Sequence, residues 1–126
     1  MRVSYPGLKT LLENNVIDVR FTRRRPQPAS PTRRMLCTTC KPLLNSTEGR
    51  LVLNFRPTQL PYPPNYWPPL KNLIVVWDIM MQDYRQISVE TADVLQVIPP
   101  DKFWEFFKNQ IYRLSPQQKI DYMDHA

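Results

Sequence analysis

The chain is poor in glycine and histidine, and both shortages exclude familiar kinds of site. Gly7 and Gly49 are the only glycines among 126 residues, so neither a G-x-G-x-x-G fingerprint nor a phosphate-binding P-loop can occur. The only histidine is His125, which argues against a Ser-His-Asp or Cys-His catalytic site and against a histidine-based metal site. We therefore expect a protein that is not an enzyme and that uses no cofactor and no metal.

Long hydrophobic runs and cysteines are also scarce. The longest continuous apolar stretch runs from Leu73 to Trp77, whereas a membrane-spanning helix needs about 20 such residues. The first residues lack the hydrophobic segment of a signal peptide. Two cysteines, Cys37 and Cys40, do not make a disulfide framework. These absences predict a soluble, cytoplasmic protein that does not bind membranes.

Proline and positive charge are abundant instead. The chain contains 14 prolines and has a formal net charge of +6. Residues 1–60 contain 11 basic and 3 acidic residues, a net charge of +8, while residues 61–126 contain 6 and 8, a net charge of −2. Such an asymmetry favours a polyanion or an acidic protein surface as partner, or serves solubility alone.

Alternation of apolar and polar side chains predicts the strands. In the segment 16–24, Ile17, Val19 and Phe21 alternate with polar residues, which predicts a strand with one buried and one wet face. The apolar run within 72–78 predicts a strand buried on both faces. Further strands are predicted at 33–39, 51–55, 84–90 and 94–98.

Helices are predicted near the two ends of the sequence. Apolar residues recur at helical spacing over 5–14 and over 103–114. A short capped helix is predicted after Ser115, because proline follows at the first helical position and glutamine stands at the third. The prolines of 23–32 and 56–69 predict a loop and an extended, irregular segment.

This pattern predicts a mostly β fold, a small barrel with a short N-terminal helix and a helical C-terminal extension. We predict that residues 1–98 form the barrel domain, with a proline-rich loop insertion at 56–69. Residues 99–126 would form the extension.

Two predicted hairpins resemble those of a known family. The first joins Val19-Arg20-Phe21-Thr22 to Arg34-Met35-Leu36-Cys37-Thr38, and the second joins Val75-Val76-Trp77-Asp78 to Tyr84-Arg85-Gln86-Ile87-Ser88-Val89. In this order, over about residues 8–98, they resemble the second WYL-type family of small tailed-bacteriophage proteins. This chain departs from the family in its first turn, which is the proline- and arginine-rich segment 23–32 instead of a short Lys-Asp-Gly-like tip.

The resemblance implies a fold, an origin and a class of partner. The fold is an Sm-like, Src-homology-3-like β-barrel, and a phage-encoded member would work in the host cell cytoplasm. Sm-like barrels bind RNA, and WYL domains are regulatory ligand-sensing modules, so the resemblance implies a tendency towards nucleic acid. It implies no catalytic residue.

The basic hairpin supplies the first functional hypothesis, which is binding of RNA or DNA. Arginine presents a planar fork that suits phosphate oxygens. The alternative is a solvated loop that only adds solubility. The residues predicted to hold phosphates are Arg20, Arg23, Arg24, Arg25, Arg33 and Arg34.

Aromatic residues of the proline-rich segment extend this hypothesis. Tyr66 and Trp67, with Tyr62 close by, would stack on unpaired bases. In the alternative interpretation they lie across the barrel and close its core. The proline-rich strip could also be a ligand for the groove of a partner protein.

The C-terminal aromatics supply the second hypothesis, a protein–protein interaction module that modulates a host factor or takes part in a phage assembly. The C-terminal segment carries aromatic residues on more than one side, whereas packing on the barrel requires a single apolar face. The additional aromatics, Phe106 and Tyr112, are therefore predicted to form a partner interface. Oligomerisation through the C-terminal helices fits the same pattern, and the basic hairpin would then dock on an acidic protein.

Two further groups are predicted to be structural. Cys37 and Cys40 have the C-x-x-C spacing but lack a second pair of ligands, so they are interpreted as ordinary cysteines, with Cys37 facing the core. Asp78 follows a strand and is predicted to close its turn by accepting backbone hydrogen bonds.

Overall fold

The computed structural model describes residues 1–27, 30–57 and 68–124, and it describes the backbone alone for Arg24, Arg25, Pro26, Gln27, Ser30, Leu70, Lys71, Met123 and Asp124. The predicted stacking residues Tyr66 and Trp67 lie outside the described residues. The side chains of Arg24 and Arg25 are also outside the described part of the structure, so their predicted phosphate contacts stay predictions.

The described residues form a five-stranded antiparallel sheet. Its order is β4-β3-β2-β1-β5, so the first strand pairs with both the second and the last. Within the described part of the chain no ladder joins β4 to β5, and the sheet is open, unlike the closed barrel that the sequence predicts. The strands are β1 (Val16–Gln27), β2 (Ser30–Thr38), β3 (Leu73–Asp78), β4 (Asp83–Ser88) and β5 (Asp93–Ile98).

Helices hold more of the described residues than strands do, so the fold is a sheet with helices rather than mostly β. None of the described helices has the length and apolar character needed to cross a membrane. The α-helices are α1 (Tyr5–Asn14), α2 (Lys41–Leu44), α3 (Thr47–Leu51), α4 (Pro100–Phe106) and α5 (Pro116–Asp124), with 3-10 turns at Pro68–Lys71 and Val89–Thr91 and a π-helical turn at Phe107–Ile111.

Several predicted elements are confirmed. The first helix has the predicted bounds, 5–14. The cap of α5 is also present, because Ser115 Oγ accepts the Gln118 N–H at 3.1 Å and Gln118 Oε1 accepts the Ser115 N–H at 2.8 Å. The strand predicted at 84–90 is shorter than expected, since it gives way to a 3-10 turn after Ser88.

The β1–β2 hairpin is longer than predicted. The sequence predicts a loop over 23–32, yet β1 continues through Pro26 to Gln27 and β2 begins at Ser30. Proline is tolerated at bulges, where a strand lacks a regular ladder partner. Pro26 lies between Thr22 and Gln27, where the β1–β2 register shifts, and β5 pairs with β1 only as far as Arg20.

The strand predicted at 51–55 is wrong. Ser46 caps a helix there by accepting the Gly49 N–H on its hydroxyl at 3.0 Å, and that helix runs to Leu51. Leu53 and Phe55 are buried, as the alternating pattern suggested, but Asn54 between them has a φ of 57°. A left-handed residue breaks the extended conformation that a strand needs.

One face of the sheet is covered by α1, and we call it the α1 face. Ile17 and Val19 of β1 pack there with Leu8 and Leu12 of α1, and all four side chains are fully buried. Every second residue of a strand points to the same side, which is why the alternation in 16–24 identifies this face from the sequence.

The opposite face, which we call the tail face, is covered by the helical C-terminal segment 100–124, which we call the tail. Val16 and Leu36 pack there with Phe103 and Phe107. The sequence predicts a wet face on this side, but Asp18 is only 1% exposed because the C-terminal helices lie over it. The tail therefore shares a core with the sheet.

A bulge in β5 determines which of its side chains point to each face of the sheet. Asp18 pairs with Gln96 and Val19 pairs with Val94, so Leu95 is an extra residue without a partner on β1. The bulge keeps Val94 on the α1 face while Gln96 stands opposite Asp18 on the tail face.

Candidate nucleic-acid interface

The predicted basic hairpin forms a two-stranded ribbon beyond the end of the sheet. The β1–β5 ladder ends at Arg20 and Asp93, while the β1–β2 ladder continues to Thr22 and Thr32, shifts register, and resumes with Gln27 opposite Ser30. We call residues 22–27 and 30–32 the arginine ribbon. The backbone of Arg23, Arg24 and Arg25 lies on β1 within it.

Two arginines face each other where the ribbon leaves the sheet. Arg20 and Arg34 are direct cross-strand partners, and like charges in this position destabilise a sheet. Each arginine has its own carboxylate, which removes the repulsion. Arg20 donates to Asp93 of β5 at 3.1 Å, and Arg34 forms an ion pair with Asp18 of β1.

Asp18 is the centre of a buried network on the tail face. It accepts two bonds from Arg34, from Nε at 3.0 Å and from Nη2 at 2.6 Å, and one from the Tyr122 hydroxyl at 2.5 Å. The Arg34 guanidinium also lies 4.2 Å from the centroid of the Tyr122 ring, a cation–π geometry. Arg34 therefore has a structural role, and its predicted contact with phosphate stays a prediction.

This network perturbs two of its members. The hydrogen bond to Asp18 raises the pKa of Arg34 above its usual value. Burial, followed by the hydrogen bond that Tyr122 donates to Asp18, raises the pKa of the Tyr122 hydroxyl far above its usual value. Both groups stay in their present protonation states across the physiological range.

Arg33 is turned into the structure. It donates to Asp78 at 2.5 Å, and its side chain is 15% exposed while that of Asp78 is 1% exposed. Asp78 also accepts the N–H groups of Met80 and Met81, each at 3.1 Å, so its predicted turn-closing role is confirmed. Burial raises the pKa of Asp78 and lowers that of Arg33.

The predicted partner residues Phe106 and Tyr112 are not brought together. Phe106 is half-buried and lines a cleft on the tail face. Tyr112 is 68% exposed and lines a different cavity, of about 140 Å³, together with Val52 and Lys119.

The cleft beside Phe106 was not predicted, and we call it the polar cleft. It lies between the tail face, the turn after α4 and α5, and has a volume of about 360 Å³. Its members are up to 104 residues apart in the sequence, so only the placement of the tail could reveal it. Its polar lining residues are Asp18, Arg34, Gln96, Gln110, Gln118, Asp121 and Tyr122.

A larger groove of about 480 Å³ lies on the other side of the molecule, between α1 and β3. Its wall is mainly apolar and includes Tyr5, Pro42, Pro69 and Val75. The Tyr5 hydroxyl reaches towards the Leu73 carbonyl at 3.4 Å.

The two cysteines belong to separate apolar clusters. Both thiols are free and buried, Cys37 on the α1 face and Cys40 in the cluster of the tail face. Burial raises the pKa of Cys37 well above its usual value, which makes it a poor nucleophile. Among the residues that the structure describes, no group of three or more candidate metal ligands is found.

Comparison with protein-family models, curated proteins and solved structures finds no match to this chain. Function therefore has to be inferred from the residues and geometry of the chain itself.

Proposed function

We propose that the chain is a non-catalytic, phage-type nucleic-acid-binding protein that holds a phosphate backbone on the arginine ribbon. The observation that carries this proposal is the extension of the β1–β2 ladder past the end of β5. This extension carries three consecutive arginines, Arg23, Arg24 and Arg25, away from the five-stranded sheet. Two-stranded ribbons of this kind can enter a nucleic-acid groove or follow a single strand.

The strand order supports a bent, Sm-like and Src-homology-3-like arrangement. A barrel closes when the first and last strands of a sheet pair. Here the edge strands are β4 and β5, and in the described part of the chain the pairing between these two strands is the one that closure lacks. The 3-10 turn Val89–Thr91 connects these two strands.

The test is binding to labelled single-stranded DNA, duplex DNA and RNA by fluorescence anisotropy over a salt series. Replacing Arg23, Arg24 and Arg25 with alanine should weaken binding and flatten its salt dependence. Each lost phosphate contact lowers the slope by about 0.7–0.9 in log K against log salt. The slope is decisive, because it counts phosphate contacts whatever the sequence of the strand.

The matched control removes the same charge elsewhere. Lys102, Lys108 and Arg113 are exposed in the tail, and their triple alanine variant should keep most of the slope. Equal losses in the two variants would mean that net charge, not the ribbon, drives binding. Absence of binding to all three nucleic acids at low salt would refute the proposal.

A protein–protein interaction module is the second proposal, and the exposure of Tyr112 favours it. Tyr112 is 68% exposed and shares a cavity with Val52, itself 36% exposed. Exposed apolar groups that lie together mark interaction surfaces. The module would modulate a host factor or join a phage assembly, and its complexes would survive nuclease treatment but be lost in a Tyr112→Ser variant.

A further inference from the structure

The polar cleft combines an apolar wall with side-chain amides that have unused hydrogen-bonding capacity. Phe106, Ile111 and Leu114 supply the apolar wall. The side chains of Gln96 and Gln110 make no hydrogen bond to another residue within 1–27, 30–57 and 68–124. A cleft of about 360 Å³ is within the usual range for small-ligand sites, which are mostly apolar with a few convergent polar groups.

The remaining polar groups add both donors and acceptors. Gln118 uses its Oε1 on the Ser115 N–H, and its amide nitrogen remains as a donor. Asp121 accepts from Gln117 at 3.0 Å through Oδ1, which leaves Oδ2 as an acceptor. The lining can therefore both donate to and accept from the edge of a planar ligand.

The charges of the cleft restrict what it can hold. Asp18 and Asp121 carry negative charge and Arg34 carries positive charge. The guanidinium of Arg34 already makes a two-pronged contact with Asp18. A phosphate would therefore meet an uncompensated carboxylate, whereas a neutral ring with N–H donors would find an acceptor in Asp121.

The cleft also lies at the base of the arginine ribbon. Asp18 and Arg20 are two residues apart on β1 and therefore share the tail face, and Arg34 stands directly opposite Arg20. At about 3.3 Å per residue, the ribbon begins at Thr22, about 13 Å along the strand from Asp18 and on the same face. A strand held on the ribbon by its phosphates would thus pass near the cleft.

We propose that the polar cleft receives one unpaired base of a nucleic-acid strand and prefers bases that carry an amino group. Adenine, cytosine and guanine present such a donor at the edge of the ring, whereas the ring N–H of thymine and uracil lies between two carbonyl oxygens, which repel a carboxylate. Asp121 accepts from the amino group, the amide of Gln110 bonds the neighbouring ring nitrogen, and the ring lies against Phe106. This inference rests on the proposed function, because the ribbon brings the strand to the cleft.

The first test compares labelled dA, dC and dT homopolymers of equal length at one salt concentration. We expect dA and dC to bind roughly tenfold more tightly than dT, within the range for one good base contact. Asp121→Ala should abolish this preference and leave the salt slope unchanged, because the slope reports phosphates alone. The control is Glu105→Ala, which removes one exposed carboxylate from α4 outside the cleft.

A second variant separates base contact from the charge change. Gln110→Ala should reduce the preference without altering the net charge, and Asn109→Ala, at an exposed position beside it, should have no effect. If dT binds as tightly as dA and dC, or if Asp121→Ala and Glu105→Ala behave alike, the cleft does not read a base. The ribbon proposal would survive that result, because its evidence is the salt slope.

The nucleosides adenosine, cytidine and thymidine test the cleft without the ribbon. Saturable chemical-shift changes at Gln96 and Gln110 with adenosine and cytidine, absent with thymidine and lost in Asp121→Ala, would support the base preference of the cleft. If no oligonucleotide bound in the same experiments, the ribbon proposal would be refuted and the base preference would stand. If neither nucleosides nor oligonucleotides show a dependence on Asp121, the inference is overturned.

Discussion

The two faces of the sheet are buried in different ways. On the α1 face, Leu8 and Leu12 cover apolar residues of β1, and the contact is a simple hydrophobic layer. On the tail face, an apolar layer around Phe103 gives way to the charged network of Asp18, Arg34 and Tyr122. Burial of charge is tolerated only when each charge is paired. The α1 face thus stabilises the fold, whereas the tail face combines stability with a polar cleft.

The substitution with the largest expected effect on stability tests whether the tail is part of the core. Phe103 is fully buried on the tail face, so Phe103→Ala should lower the free energy of unfolding by about 3–5 kcal/mol. Urea denaturation followed by circular dichroism measures this change. Leu12→Ala on the α1 face provides the comparison, with an expected loss of about 2–5 kcal/mol. A negligible effect of Phe103→Ala would mean that the C-terminal segment is not part of the core.

The next effect breaks the charged network. Arg34→Ala leaves the buried carboxylate of Asp18 without its charged partner, and we expect a loss of about 2–3 kcal/mol. A double variant with leucine at both positions should lose less than Arg34→Ala alone, because replacing both members of a buried pair with apolar groups avoids the unpaired charge. The single variants Asp18→Leu and Arg34→Leu, measured with the double variant by urea denaturation, close the double-mutant cycle and give the coupling. A double variant less stable than Arg34→Ala would contradict this account.

A smaller effect concerns the hydroxyl that joins the tail to the network. Tyr122→Phe removes one hydrogen bond to Asp18 and should cost about 1 kcal/mol near neutral pH. The raised pKa of Tyr122 means that its contribution is present below the unfolded value of about 10 and is lost as pH rises above it. The wild type should therefore lose its advantage over Tyr122→Phe in alkaline unfolding measurements. The exposed Tyr112→Phe is the control for stability at neutral pH.

The smallest expected effect is a difference in labelling rate between the two cysteines, which compares the two faces without changing the fold. Variants that keep only Cys37 or only Cys40 report on the α1 face and the tail face respectively. In thiol labelling of the native protein, we expect Cys40 to react faster, because Cys37 is fully buried with a raised pKa. Faster labelling of Cys37 would show that the α1 face opens more readily.

The α1 face is the part of the fold that the sequence predicts best. The alternation in 16–24 and the helical spacing in 5–14 are local signals, and both elements form, although the strand continues three residues further, to Gln27. Signals at the ends of elements are also reliable, as the Ser115 cap and the turn at Asp78 show. Each depends on residues close together in the chain.

The tail face and the cleft could not be predicted because their contacts are distant in sequence. Asp18 was interpreted as part of a wet face, yet Tyr122 reaches it across 104 positions. At 51–55 the alternating pattern correctly indicated that Leu53 and Phe55 are buried, but it wrongly indicated a strand, because burial of every second residue also occurs outside strands. The loop predicted from the prolines of 23–32 was wrong at Pro26, because this residue lies where the β1–β2 register shifts and proline is tolerated in a strand.

Beyond Arg20 and Arg34 the ladder partners described for the arginine ribbon are its own two strands, and the Thr22 N–H anchors its base by donating to Thr91 Oγ1 at 3.1 Å. Residues can therefore be added or removed beyond Thr22 without changing the register of any other strand. Such an arm can lengthen, shorten or change its sequence over generations while the two cores stay the same. The reach of this protein towards a partner is thus an adjustable property, separate from the stability of its fold.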